Sequence, residues 1–410
     1  MGVCRLASMG RMALSSTLVA PTPGDVLALI RGRGAITRSE IGRITGLSRT
    51  AVTARLSALE ADELVIEPEY AASTGGRPAT QLMFNIDAGI VFAAAIGRSR
   101  TQLALCNLAG DILATADIDQ EPGMRPDDLM PGLVRRIEAL LDDSGRRGDR
   151  VFGIGLSLPG TVDQLRGASL DSPNMSGWDG VPLAPYFQHL TDAPLVMDND
   201  ANVIALAERR FGFADVQDML VVKASTGLGA GIVMAGQLRR GAAAAAGDFG
   251  HSKISAAAGI PCRCGDTGCV EAVAGGWAIV RDLQADGYTV NHLRDVVALA
   301  HGGDAKARSM IRDSGRHIGE VLAAAVNLIN PAVLVVAGDM VGAYDVFVAG
   351  LRETLYGNAS TLATRTLQVV PSVLQERVGI VGCATTVLDH ILSPNMIDAS
   401  LDARLQLSGA

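Results

Sequence analysis

Residues Asp218–Gly241 read "DMLVVKASTGLGAGIVMAGQLRRG". An apolar run, a turn built from Ser225, Thr226, Gly227 and Gly229, and a second apolar run make a strand, a glycine turn and a strand. Upstream, "IVFAAAIG" and "TQLALCNLAGDILATADID" read as a meander of strands. "DLMPGLVRRIEALLDDSG" then reads as an amphipathic helix and "VFGIGLSLPG" as another strand. Strands alternating with helices and glycine turns define an α/β fold. Two such halves in succession predict two lobes facing each other across a cleft, a common place for a ligand.

The surrounding chain fits this reading. It has 410 residues, 48% hydrophobic and 19% charged, as in folded globular proteins of two or three domains. The net charge of −8 excludes a polyanion binder that uses its whole surface, so any nucleic-acid site has to be local. Residues 1–23 lack the apolar core of a signal peptide and read as a disordered tail, with Met9 or Met12 as an alternative start. The most apolar stretch, Val321–Gly338, is interrupted by Asn327, Asn330 and Pro331. It falls short of the ~20 apolar residues of a membrane span and predicts a buried helix, a turn and a buried strand. A cytoplasmic protein without a membrane partner is expected. In that compartment closely spaced cysteines serve metals or redox chemistry more often than disulfides.

Three of the six cysteines, Cys262, Cys264 and Cys269, lie within eight residues, with His251 upstream. Gly265 and Gly268 permit the tight turns that aim three sulfurs at one centre. Three thiolates and one imidazole make the ligand set of a closed structural zinc site. A reduced, metal-free loop and a redox pair are the alternatives. Cys4, Cys106 and Cys383 are isolated.

Residues 24–84 differ in character. "GDVLALIRGRG" predicts a first helix. "TRSEIGRITG" begins with Thr37 and has Glu40 three residues on, a capping-box pattern, with Ile41 and Ile44 at helical spacing. Gly46 ends that helix and Ser48 caps a third, whose Val52, Leu56 and Leu59 form one buried stripe. Two short helices joined by a glycine turn form a helix-turn-helix. From Arg31 to Arg55 there are six arginines and one acid, whereas from Glu60 to Glu69 there are five acids and no base. The third helix would offer Arg49, Thr50, Thr53 and Arg55 to a DNA operator. "LVIEPEYAASTGGRPATQLMFNI" reads as two strands with a glycine tip, a wing whose Arg77 reaches a minor groove. A helical protein-interaction module with a solvated basic face is the alternative. Reading two half-sites requires a dimer.

Six segments in order, "GIGLSLPGTVD", "SPNMSGWDGVPL", "MDNDANVIALAE", "STGLGAGIVMAGQLRRG", "GDFGH" and "CRCGDTGCVEA", resemble the ROK family of repressors and sugar kinases. The head, with "GAITRSEIGRITGLSRTAVTARLSALEADELV" and "GGRPAT", resembles the winged helix-turn-helix of ROK repressors of the xylose and N-acetylglucosamine type. The resemblance implies an actin-like, two-lobed sugar-kinase body over 85–410 behind a winged helix-turn-helix at 24–84. It implies sugar contacts from Asn174, Asn199, Asp200, Asp248, His251 and Glu271. Asp200 matches the general base of the kinases, and His251, Cys262, Cys264 and Cys269 match the zinc ligands in the loop 251–271. Asp248 stands where the family carries glutamate, one methylene longer.

The kinases carry a phosphate loop of the form Asp-x-Gly-Gly-Thr. Matched here to Asp87–Val91, that loop has lost its second glycine and its threonine. Ser225 replaces a glycine of the second phosphate loop, and Asp339 follows Gly338 where a second glycine is usual. Phosphoryl transfer needs its phosphates held and neutralised, so ATP and catalysis are not expected. The sequence predicts a sugar-responsive transcription regulator, a repressor acting on double-stranded DNA as a homodimer or homotetramer. Two rival readings stand beside it: a bifunctional hexose kinase with Asp200 as base, and a regulator sequestered by a protein partner without sugar.

Overall fold

The computed structural model describes residues 20–68, 80–121, 123–170, 175 and 177–408. The chain divides into two compact units, one spanning Ile86–Ile391 and the other joining the segment up to Asn85 with the segment from Leu392.

The smaller unit, the head, begins with helix α1 (Pro23–Arg33), capped by Thr22 in a capping box with Asp25. Strand β1 (Ala35–Thr37) leads into α2 (Arg38–Thr45). The Thr37 backbone N–H donates to the Glu40 carboxylate at 2.9 Å and the Thr37 hydroxyl accepts from the Glu40 backbone N–H at 3.2 Å, the capping box expected there. Gly46 ends α2 in the left-handed region at φ 73°, where a side chain would be strained. Ser48 caps α3 (Arg49–Ala61), accepting from the Ala51 N–H at 3.2 Å. Strands β2 (Val65–Ile66) and β3 (Gln81–Phe84) complete an antiparallel sheet in the order β1-β3-β2. Val26, Ile30, Ile41, Val52, Leu56 and Leu59 fill the core beneath it, whereas Ile44 is 40% exposed and takes no part in that core.

The sequence reading assigned everything from 85 to 410 to the body. The structure returns the C-terminal helix Pro394–Ser408 to the head. Its Ile397 and Leu401 are buried. The Gly24 N–H donates to Asp398 at 2.8 Å, and Arg404 pairs with the buried Asp62. A Cβ on Gly24 would lie 2.2 Å from the Pro394 carbonyl oxygen, so α1 meets this helix backbone to backbone.

In the body, a meander of β4 (Ile90–Ile96), β5 (Arg100–Asn107) and β6 (Ile112–Asp119) is followed by α4 (Pro126–Asp143) and β7 (Val151–Leu158). A small hairpin of β8 (Thr161–Asp163) and β9 (Ala168–Leu170) precedes β10 (Leu195–Asn199) and α5 (Asp200–Phe211). The sheet runs β10-β7-β4-β5-β6, with the meander antiparallel and β7 and β10 added in parallel.

The second lobe repeats this plan. A meander of β11 (Met219–Ala224), β12 (Leu228–Met234) and β13 (Gln237–Arg239) leads through the cysteine loop to α6 (Glu271–Ala274), α7 (Gly276–Ala285), α8 (Leu293–His301) and α9 (Ala305–Ile329). Then come β14 (Val333–Ala337), α10 (Tyr344–Asn358), α11 (Thr361–Thr364) and β15 (Gln368–Pro371), giving the order β13-β12-β11-β14-β15. The two sheets therefore share one strand order, as the recurring strand–turn–strand pattern implied. The apolar stretch Val321–Gly338 is the end of α9, a left-handed cap at Asn330 with φ 50°, and the buried strand β14. Among the described residues no helix is long and apolar enough to cross a membrane.

Helix α12 (Val378–Ile391) closes the body against β7, β4 and α5. A Cβ on Gly155 would lie 2.1 Å from the Cys383 carbonyl oxygen, and one on Gly382 would lie 2.3 Å from that of Val203. Neither neighbour is a flexible side-chain end, so added volume there must displace backbone. Gly155→Ala is expected to destabilise the body by about 1–3 kcal/mol. Calorimetry of the full chain should show its transition shifted down relative to the unsubstituted protein.

Candidate functional site

A cavity of about 630 Å³ opens between the two lobes. Its walls come from the turn between β4 and β5, the end of β10 and start of α5, the glycine turn between β11 and β12, the segment Ala244–His251, and the first turn of α12. The matched strand order of the two sheets brings these strand ends and turns to the same place, the usual site of ligands in open α/β sheets.

Asn199 and Asp200 stand together where β10 passes into α5. Asn199 is the N-cap: its Oδ1 accepts from the N–H groups of Ala201 at 2.8 Å and Asn202 at 3.3 Å, and its Nδ2 donates to the Gly160 carbonyl at 2.9 Å. Asp200 is engaged by the Lys223 ammonium at 2.5 Å, with both side chains largely buried. The sequence reading did not foresee this pair, because the two residues meet only when β11 is laid beside α5. Asp198, buried at the end of β10, is held by Arg240 and by the Asn202 amide at 2.9 Å.

Glu271, which starts α6, is 3% exposed. Its carboxylate accepts from the Leu228 N–H at 2.8 Å and from the Trp277 indole at 3.1 Å, tying the cysteine loop to the glycine turn. Asp248 and His251 line the same wall of the cavity. Five of the six expected sugar contacts (Asn199, Asp200, Asp248, His251 and Glu271) thus converge on one cleft. The sixth, Asn174, lies outside the described residues.

His251, Cys262, Cys264 and Cys269 place their ligand atoms within 4.8 Å of one another. The Cys264 and Cys269 sulfurs are 3.7 Å apart, and Cys262 Sγ is 3.8 Å from His251 Nδ1. A zinc–sulfur bond of ~2.3 Å requires tetrahedral edges of ~3.8 Å, so the donor set fits a closed zinc site. His251 Nε2 lies 3.9 Å from the Asp248 carboxylate, beyond hydrogen-bond distance. Lys253 donates to the Cys269 sulfur at 3.2 Å, to Asp266 at 2.6 Å and to the Thr267 carbonyl at 2.7 Å. The hydrogen bond to Asp266 raises the Lys253 ammonium above its ordinary value and keeps it charged beside the sulfur.

The phosphate loop is not where the sequence match put it. Asp87–Val91 lies at the start of β4 and lines no part of the cavity, and Gly89 there abuts the Arg150 carbonyl and the Phe152 ring. Seven residues of β4, at ~3.3 Å each, carry the chain roughly 20 Å to the cleft. The segment that lines the cleft is Ala95, Ile96, Gly97, Arg98 and Ser99. Set against Asp-x-Gly-Gly-Thr, it keeps the first glycine and a hydroxyl, and has alanine for the aspartate and arginine for the second glycine. On the facing lobe, the Ser225 hydroxyl bonds directly to Asp339, joining the two positions that depart from the kinase pattern.

In the head, Arg49, Thr50 and Thr53 are exposed on α3. Arg55 differs from the expectation: its Nε donates to the Pro21 carbonyl at 2.5 Å and its Nη1 to that of Ala51 at 3.3 Å. That side chain anchors the segment before α1. Arg43, on α2, is exposed. Arg38 is held by Glu60 at 2.8 Å and Glu67 at 2.9 Å, so part of the acidic block neutralises the base of the helix-turn-helix. Arg77 lies outside the described residues.

Comparison with known proteins agrees with this geometry. Residues 91–390 match the ROK family and residues 21–66 match a winged helix-turn-helix DNA-binding family. The chain belongs to the ROK family and carries a winged helix-turn-helix head. It is 27% identical over 382 residues to the xylose repressor of Caldicellulosiruptor bescii, covering 90% of this chain and 95% of that one. The crystal structure of a ROK family transcriptional regulator, a homolog of the E. coli MLC protein, superposes with a TM-score of 0.76 at 27% identity, covering 92% of this chain and 98% of that one. A ROK family glucokinase from Streptomyces griseus, solved with glucose and AMPPNP, superposes at 0.61 with 28% identity, covering 72% of this chain and 98% of that one.

Replacing the Asn199 cap tests how firmly this wall of the cleft is held. Asn199→Ala is expected to cost about 1 kcal/mol of body stability. Asn199→Asp, which keeps the capping oxygen, should lose less, as read by thermal unfolding.

Proposed function

We propose that the protein is a sugar-responsive DNA-binding transcription regulator, a repressor of carbohydrate genes. One observation carries the reading: the same chain joins a helix-turn-helix with Arg49, Thr50 and Thr53 exposed to a polar cleft whose phosphoryl-transfer positions are already filled. The Asp200 oxygen that would take a proton is engaged by Lys223 at 2.5 Å. Arg98 stands where a kinase needs glycine for close approach of phosphate. Ser225 and Asp339 bond to each other in the second lobe. The kinase neighbours share the fold, and fold alone does not carry activity.

In this reading the α3 side chains reach base edges and phosphates of an operator, and a homodimer or homotetramer presents two heads to two half-sites in the cytoplasm. Asn174, Asn199, Asp200, Asp248, His251 and Glu271 bind a sugar. Sugar alters DNA affinity by favouring one arrangement of the lobes over another. Zinc held by His251, Cys262, Cys264 and Cys269 is structural: it would cross-link the loop that positions Asp248 and Glu271.

Fluorescence anisotropy on the upstream intergenic DNA at fixed salt, with a panel of sugars, tests the whole reading. Specific binding released by one sugar is expected, and Arg49→Ala should weaken binding about tenfold without changing the sugar that releases it. Binding that no sugar alters would favour the protein-partner reading. Sugar-dependent ADP production abolished by Asp200→Ala would favour the kinase. For zinc, one equivalent per chain is expected by elemental analysis. Cys264→Ser should lose metal and sugar response while the head still binds DNA, so a variant that retains sugar response would refute the clamp.

A further inference from the structure

Four arginine and lysine side chains line the cleft among the described residues: Arg98, Arg100, Lys223 and Arg294. Three are ion-paired, Arg100 with Asp117 at 3.0 Å, Lys223 with Asp200 at 2.5 Å and Arg294 with Asp119 at 3.0 Å. Arg98 is not in that group. Its Nε is shielded from solvent and has no hydrogen-bond partner among the described residues.

Its surroundings offer little compensation. Glu271 is the acid that acts on Arg98 most strongly, and both oxygens of that carboxylate already accept, from Leu228 and from Trp277. Arg263, stacked on Trp277 with its guanidinium 4.4 Å from the ring centroid, repels Arg98. Burial holds the Arg98 guanidinium below its ordinary value, the mark of a cation taken from water without a full set of partners. Leaving a donor of a charged group desolvated and unbonded is costly. A guanidinium presents a planar fork matched to carboxylate and phosphate oxygens, which a neutral sugar hydroxyl does not fill. The side chain projects from the turn Gly97–Ser99 into a cavity of about 630 Å³ that Asn199, Asp200 and Glu271 also line.

We propose that Arg98 is the anion-recognition residue of the effector site, and that the effector is an anionic sugar whose carboxylate or phosphate pairs with this guanidinium. The proposal rests on the reading of the cleft as a sugar site. It sets the chemical class of the effector apart from a neutral sugar. It also assigns a function to the arginine that replaces the phosphate-loop glycine.

Calorimetric titration of the full-length protein tests it with matched series: glucose, glucuronate and glucose 6-phosphate, then galactose, galacturonate and galactose 6-phosphate. In at least one series an anionic member should bind about tenfold or more tightly than its neutral parent. The uronate and phosphate arms separate the two sources of charge. Arg98→Ala should erase the preference while leaving affinity for the neutral parent within about threefold, and Arg98→Lys, which keeps charge but not the fork, should retain part of it. Neutral sugars binding as tightly as their anionic counterparts would overturn the proposal and leave the sugar-responsive regulator standing. A preference for anions that survives Arg98→Ala would also overturn it. No binding by any member of either series would overturn both.

Discussion

Helix α12 has no slack on either face. Its backbone lies against β7 at Gly155 and against α5 at Gly382, at separations where even one methyl group would clash with a carbonyl oxygen. Its first residues, Val378 and Gly379, line the cleft. Its last residue, Ile391, is the last of the body, and the helix that follows belongs to the head. Close-packed backbone does not deform gradually. A rearrangement of the lobes that shifts α12 therefore has to move it as a rigid body within the body unit.

The cysteine loop supplies the other fixed point. Cys262, Cys269, Ala272, Trp277 and Ala278 form a small buried cluster of their own, apart from the main core of the second lobe. Ile254, Ala257 and Val270 of the same loop join the main core, so the loop is anchored to the lobe at both ends while its sulfurs sit in a separate cluster. Within eleven residues of sequence the chain makes the ligand contact between Cys262 and His251, and two residues past Cys269 it places Glu271. A cation at the sulfur centre would fix the backbone on both sides of this cleft wall at once. Glu271 in turn fixes the glycine turn through the Leu228 N–H. Rigidity passes from loop to wall to turn by hydrogen bonds with buried partners, where water does not compete.

Most of this was legible in the sequence wherever the signal was local. The capping box of Thr37 and Glu40, the helix stop at Gly46, the strand–turn–strand repeats and the spacing of the cysteines each report on a few neighbouring residues, and each appears as read. The failures are long-range. The C-terminal helix joins the head through Asp398 and Arg404, more than 300 positions from Gly24 and Asp62, and nothing local distinguishes it from one more body helix. Arg55 has the spacing of a DNA contact but is bound to the Pro21 carbonyl, because the segment before α1 passes close to it. The phosphate loop was misplaced because Asp87 and Gly89 fit the letters of the pattern. Only the pairing of β4 with β5 shows which turn faces the cleft.

The turn that faces the cleft carries a cation that the start of β4 does not. At Asp87–Val91 the loop looked merely eroded, a site that had lost its glycines. At Ala95–Ser99 it has gained a cation. A glycine at the second position leaves space and backbone N–H groups for a phosphate that arrives with a nucleotide; an arginine fills that space and supplies the positive charge itself. Lys223 likewise answers the carboxylate of Asp200 from within the protein. Arg100 and Arg294 are paired in the same way, with Asp117 and Asp119. Among the arginine and lysine side chains of the cleft, Arg98 is the one left without a protein partner among the described residues, and in the proposed reading it marks where a ligand's own charge is required.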